Sequence, residues 1–73
     1  MEMSERKLAA KVVFDLQPGQ AIRLVNYNET ITLDNRPGFY ILKVGKVNAG
    51  RMSWYDVIEY IKRKKYEVVN SET

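Results

Sequence analysis

Short apolar segments follow one another along this chain, and in several of them apolar and polar residues alternate. Within Lys11–Leu16, the apolar residues Val12, Phe14 and Leu16 occupy every second position, which is the period of a β-strand with one buried face. Further short apolar segments follow at Ala21–Tyr27, Thr30–Leu33, Phe39–Val47 and Tyr66–Val69. The pattern predicts about four to five short strands. Because the connections between them are short, an antiparallel meander is favoured.

Two Pro-Gly dipeptides separate the predicted strands. Pro18-Gly19 and Pro37-Gly38 each precede an apolar segment. Proline fixes φ and glycine permits a positive φ, so both dipeptides predict tight turns. Gly45 indicates a β-bulge near the end of the fourth apolar segment. Residues 48–50 are predicted to form a loop that leads into a helix.

Ser53–Lys65 has helical spacing. Its apolar residues are Trp54, Val57, Ile58 and Ile61, which together form one face of an amphipathic helix. Ser53 followed by Asp56 matches a capping box, so Ser53 is the predicted N-cap. Trp54 lies on the apolar face and is predicted to be the main core anchor, with a binding hot spot as the alternative.

The chain therefore predicts one small α+β domain. Its sheet has about four to five short antiparallel strands, as a meander or a half-open barrel, and a helix in the C-terminal half packs on it. Residues 8–69 form the predicted domain, and residues 1–7 and 70–73 are predicted to be flexible tails. A length of 73 residues leaves room for one domain only.

Positive charge is concentrated in the C-terminal half. The charges balance over residues 1–40, whereas residues 41–73 account for the whole net charge of +3. Lys62–Lys65 has two interpretations. The favoured one is that these cations complement the negative end of the helix dipole. The other is an anion-binding patch.

The composition disfavours an enzyme. The chain contains no histidine and no cysteine, so the commonest general base and the thiol nucleophile are both missing. The glycines form no phosphate-binding motif. We expect no catalytic residue, no cofactor and no metal.

Binding chemistry is better supplied, since the chain has five tyrosines and 12 lysines and arginines. We expect a small regulatory protein that docks on a larger protein assembly, with transcription machinery, the target of many small phage-type regulators, as one candidate. The alternative is a nucleic-acid-binding protein with a basic, tyrosine-bearing surface. A homodimer through unpaired strand edges is a third option. The candidate binding residues are Lys43, Lys46, Arg51, Tyr55, Tyr60, Lys62, Arg63, Lys64 and Lys65.

The sequence also bears on location. The N-terminal residues are polar, with no apolar signal core, and the longest apolar runs are far shorter than a membrane span. We expect a cytoplasmic protein without a membrane partner.

Overall fold

Residues 4–70 are described by a computed structural model, in which two helices and one five-stranded sheet form. Of the predicted tails, residues 1–3 and 71–73 lie outside the described part, whereas Glu5–Lys7 belong to a helix and Asn70 to a strand. In chain order the elements are α1 (Glu5–Asp15), β1 (Gln20–Leu24), β2 (Glu29–Leu33), β3 (Phe39–Val44), β4 (Val47–Ser53), α2 (Trp54–Ile61) and β5 (Tyr66–Asn70).

The first element is a helix, so the strand predicted at Lys11–Leu16 is wrong. The Ser4 hydroxyl caps α1 by accepting a hydrogen bond from the Lys7 N–H at 3.1 Å. Ala9 and Val13 are buried, as is Leu16 directly after the helix. Their spacing of four and three residues is that of one helical face. Alternation over Lys11–Leu16 was misleading because a short apolar run fits both periods.

The sheet is antiparallel throughout, with the strand order β4-β3-β2-β1-β5. Hairpins connect β1 with β2, β2 with β3 and β3 with β4. The last strand, β5, pairs with β1. Both predicted Pro-Gly turns are confirmed: Gly19 has a φ of 87° and Gly38 a φ of 84°. Two predictions here are wrong. Residues 48–50 belong to β4, and Gly45 lies in the β3–β4 turn with a φ of 62°.

Helix α2 has the predicted start but an earlier end. The Ser53 hydroxyl accepts a hydrogen bond from the Asp56 N–H at 3.2 Å, which confirms the N-cap. The helix ends at Ile61, and Lys62 is its C-cap. Residues 63–65 therefore lie in the connection to β5, although Ser53–Lys65 was predicted to be helical throughout.

Both helices pack on the same face of the sheet. The Tyr40 hydroxyl donates to the Val13 carbonyl of α1 at 2.9 Å, and the Tyr60 hydroxyl of α2 donates to Glu29 at 2.7 Å. Tyr40 is paired with Leu33, which shares a face with Glu29 because side chains alternate along β2. The core between the layers comprises Ala9, Val13, Leu16, Ile22, Leu24, Ile31, Tyr40, Val57, Ile58 and Ile61.

This architecture confirms the predicted α+β class, the small antiparallel sheet and the packing helix in the C-terminal half. Helix α1 is additional to the prediction. The opposite face of the sheet carries no helix within residues 4–70. Neither helix of the described part has the length and apolar character that crossing a membrane requires.

Candidate interaction surfaces

Three exposed aromatic rings meet where the end of α1 lies beside the start of α2. Phe14 is 60% exposed, Trp54 43% and Tyr55 45%. The ring centroids of Phe14 and Trp54 are 5.4 Å apart, and those of Trp54 and Tyr55 are 5.8 Å apart with an edge-on angle of 87°. These separations are typical of interacting aromatic pairs. We call Phe14, Trp54 and Tyr55 the aromatic cluster.

Trp54 is therefore not the core anchor that the sequence predicted. The buried face of α2 consists of Val57, Ile58 and Ile61. Trp54 is the first helical residue, and its backbone N–H donates to the Gly38 carbonyl at 3.0 Å. This contact holds the first turn beside the β2–β3 loop, with the indole partly exposed. Phe14 was missed for a related reason, since in a strand it would have faced inwards with Val12.

Arg6 flanks the aromatic cluster at Tyr55. Its guanidinium carbon lies 5.1 Å from the Tyr55 ring centroid, and its Nη1 lies 2.8 Å from a carboxylate oxygen of Glu59. A hydrogen bond to Tyr55 and the charge of Glu59 raise the pKa of Arg6. The hydrogen bond from Lys62 and the charge of Arg6 lower the pKa of Glu59. These contacts place the Arg6 guanidinium between the Tyr55 ring and the Glu59 carboxylate.

A second surface is positively charged and lies at the opposite end of the sheet. Lys43 is near the end of β3, Lys46 is in the β3–β4 turn, and Lys64 and Lys65 immediately precede β5. The end of β3 and the start of β5 lie at the same end of the sheet, because β3 and β1 run in the same direction and Tyr66 pairs with Leu24 at the end of β1. We call Lys43, Lys46, Lys64 and Lys65 the basic end.

Two other predicted binding residues near the basic end already have partners. The Tyr60 hydroxyl donates to Glu29, and this hydrogen bond, together with burial, raises the pKa of Tyr60. The Lys64 ammonium lies 4.2 Å from the Tyr60 ring centroid and donates to the Tyr60 carbonyl at 2.9 Å. Lys62 pairs with Glu59 at 2.8 Å. Tyr60 is thus partly buried under Lys64 and does not present a free ring for stacking.

The remaining predicted binding residues are dispersed. Arg63 is exposed in the connection after α2. Arg51 lies on the helix-free face of the sheet, where it pairs with Asp34 at 2.9 Å and lies 5.9 Å from the Phe39 ring centroid. Tyr55 belongs to the aromatic cluster. The sequence therefore grouped residues that the fold divides between opposite ends of the sheet.

An open groove lies between α1 and the edge strand β5. Its volume is 590 Å³, and its lining is mainly apolar. We call it the α1–β5 groove. Its apolar side chains are Leu8, Val12, Leu16, Tyr66 and Val68.

Comparison with protein-family models, curated proteins and solved structures gives no match to this chain.

Proposed function

We propose that this protein is a small, non-enzymatic regulator that docks on a larger protein assembly through the aromatic cluster. The observation that supports this most directly is the mutual contact of Phe14, Trp54 and Tyr55 while each remains about half exposed. Large apolar side chains gathered on a surface are typical of protein interaction sites. Tryptophan and tyrosine are also enriched among the residues that contribute most to binding energy.

The cluster contributes little to the hydrophobic core. Helix α2 buries Val57, Ile58 and Ile61 without it, and the core on the helix-covered face is continuous. Truncation of Trp54 should therefore affect binding far more than folding. A hot-spot tryptophan typically contributes about 2 kcal/mol or more to binding, which corresponds to roughly a 30-fold loss of affinity.

Arg6 supports the proposal because its contact with the Tyr55 ring favours one orientation of that ring in the unbound protein. Its guanidinium lies on the ring and is itself held by Glu59. A ring that is already ordered loses less conformational entropy on binding. A charged residue beside the rings also supplies the polar rim that surrounds the apolar centre of most interfaces.

The test is affinity capture from the lysate of the source organism, with and without nuclease, using the wild type and Trp54→Ala as baits. We expect a specific protein that is retained after nuclease treatment and lost with Trp54→Ala. Tyr27→Ala is the matched control, since Tyr27 is an exposed aromatic residue in the β1–β2 turn, away from the cluster. Equal capture by the wild type and Trp54→Ala would refute the proposal.

Intrinsic fluorescence provides a second measurement on the purified complex. Trp54 is the only tryptophan of the chain, so its emission reports directly on the cluster. Binding at this surface should shift the emission to shorter wavelength as the indole leaves water. The proposal includes a cytoplasmic location. Transcription machinery remains the candidate assembly on the basis of small size alone.

Nucleic-acid binding is the second candidate function, and the basic end supports it. Lys43, Lys46, Lys64 and Lys65 come from distant parts of the sequence, yet they lie at the same end of the sheet. If all four neutralise phosphates of a single strand, the slope of log K against log salt should be about −3.

Fluorescence anisotropy with labelled random DNA and RNA oligomers at low salt tests this second function. The double variant Lys43→Glu/Lys46→Glu should abolish binding. Lys7→Glu/Arg36→Glu makes the same change in charge outside the basic end, since Lys7 lies on α1 and Arg36 in the β2–β3 loop at the other end of the sheet, and it should retain most of the binding. If the wild type does not bind either oligomer at low salt, the nucleic-acid function is excluded.

A further inference from the structure

The two edges of the sheet differ in regularity. The ladder between β4 and β3 contains a register shift at Leu42/Lys43, and Gly50 in β4 has a φ of 151°. By contrast, β5 pairs with β1 in continuous register over all of Gln20–Leu24. Natural proteins usually protect a sheet edge with a bulge, a proline or a lysine. Tyr66–Asn70 contains no proline or lysine and shows no bulge.

The outer edge of β5 presents a regular set of backbone groups. The Val25 N–H donates to the Lys65 carbonyl at 2.9 Å, so the pair Val25–Lys65 is hydrogen-bonded. Since hydrogen-bonded and non-hydrogen-bonded pairs alternate in an antiparallel ladder, the N–H and C=O groups of Tyr66, Val68 and Asn70 point away from β1. These three residues are placed symmetrically about Val68, the middle of the strand.

Apolar side chains next to this edge are also left partly exposed. Val68 lies on the helix-covered face, opposite the fully buried Ile22, yet it is 44% exposed. It is exposed because the α1–β5 groove beside it is open. An occupant that paired with the edge of β5 would place apolar side chains in this groove, since side chains of neighbouring strands share a face.

We propose that the edge of β5 is the interface of a symmetric homodimer, in which two copies of β5 pair antiparallel about a two-fold axis at Val68. This register makes hydrogen-bonded pairs of Val68 with the partner's Val68 and of Tyr66 with the partner's Asn70. About six backbone hydrogen bonds result, and every outward-pointing group of the strand is used. The two sheets become one continuous sheet of ten strands.

The same symmetry closes the groove. A two-fold axis perpendicular to the sheet keeps the helices of both copies on one face, so the two α1 helices flank the central pair of β5 strands. The groove of one copy then adjoins the groove of the other, and Val12 and Val68 of both copies become buried. A self-complementary patch of this kind is what a two-fold interface requires.

The charges at the groove are also self-complementary. Lys11 and Asp15 of α1 both line the α1–β5 groove, and they are one helical turn apart. Two α1 helices related by the axis run in opposite directions, and the proposed dimer pairs Lys11 with the partner's Asp15, with the reverse pair formed by symmetry. A peptide of unrelated sequence would have to supply both charges, whereas a second copy supplies them by symmetry.

Sedimentation analysis of the purified protein over a dilution series tests the dimer. We expect the wild type to dimerise reversibly. Val68→Lys places two like charges opposite each other at the axis and should shift the chain to monomer. Val47→Lys is the matched control, because Val47 is 68% exposed on the other edge strand, and it should dimerise like the wild type.

Exchanging the charges of Lys11 and Asp15 distinguishes loss of the interface from loss of folding. Lys11→Glu should weaken the dimer by about 10-fold or more, since each copy then opposes Asp15 with a like charge. The double variant Lys11→Glu/Asp15→Lys should restore it. A wild type that is monomeric at all accessible concentrations would overturn the proposal, and so would a dimer that Val68→Lys leaves intact.

Amide hydrogen exchange locates the interface. The amides of Glu67 and Val69 bond to β1 in either state, so their protection should not depend on concentration. The Val68 amide points outwards and should become protected only as the dimer forms. The aromatic cluster is not part of this interface, so failure of the dimer and failure of the docking function are separable.

Discussion

Replacing Tyr40 by phenylalanine tests whether α1 is held on the sheet as the structure shows. The Tyr40 side chain is 5% exposed, and its hydroxyl donates to the Val13 carbonyl at 2.9 Å. Tyr40→Phe removes this hydrogen bond and leaves the ring in place. A neutral buried hydrogen bond contributes about 1 kcal/mol net. In a domain of this size, that loss corresponds to a decrease in Tm of roughly 4–8 °C.

Urea denaturation followed by circular dichroism measures the effect. Tyr40→Phe should lower the midpoint without changing the slope m, because the surface exposed on unfolding is the same. Tyr27→Phe is the control, since Tyr27 is exposed and its hydroxyl makes no hydrogen bond within residues 4–70. If Tyr40→Phe is as stable as Tyr27→Phe, α1 does not contact the sheet through Val13 and the packing described above is wrong.

Tyr40 also makes stability depend on pH in the alkaline range. Burial raises the pKa of Tyr40, so its phenol ionises in the unfolded chain before it ionises in the folded protein. Between these two pKa values the unfolded chain binds fewer protons, and stability falls as pH rises above about 10. Tyr40→Phe should reduce this fall. An unchanged pH profile in the variant would contradict the assignment.

Three further substitutions test individual elements by thermal or urea denaturation, each with an expected loss of about 1 kcal/mol. Ser53→Ala removes the N-cap that the Asp56 N–H uses and should destabilise the protein by that amount, whereas Ser53→Asp should retain the stability. Gly38→Ala forces a residue with a side chain to a φ of 84°, although its Cβ would meet nothing closer than 3.9 Å, so its cost is that of the backbone alone. Ile31→Val removes one methyl group from a fully buried position and should cost about 0.5–1.5 kcal/mol; no loss would indicate that β2 is not central to the core.

Some elements followed directly from local sequence. The Pro-Gly dipeptides form turns because glycine at the third position accepts the positive φ that each turn requires. Ser53 begins α2 because its hydroxyl satisfies an otherwise unpaired N–H at the start of the helix. The strand predicted at Tyr66–Val69 from its apolar and β-branched residues forms as β5. In each case the physical cause lies within a few residues of the element.

Other elements depended on contacts that are distant in sequence. Strand β4 contains asparagine, alanine and glycine, which have little intrinsic preference for strands, and it forms because its backbone pairs with β3. The basic end is a similar case. Lys43 and Lys65 are 22 positions apart, and only the return of β5 to β1 places them at the same end of the sheet.

The sequence by itself determined the α+β class, the positions of the tight turns, the start of α2 and the scarcity of catalytic side chains. The tertiary structure decided that Glu5–Asp15 is a helix, that α2 ends at Ile61, and that Trp54 stays half exposed in the aromatic cluster. The physical reason is that turns and caps depend on local backbone geometry, whereas burial depends on what lies opposite a side chain. The positions opposite Trp54 and Phe14 were fixed only when α1 and α2 packed together on the sheet.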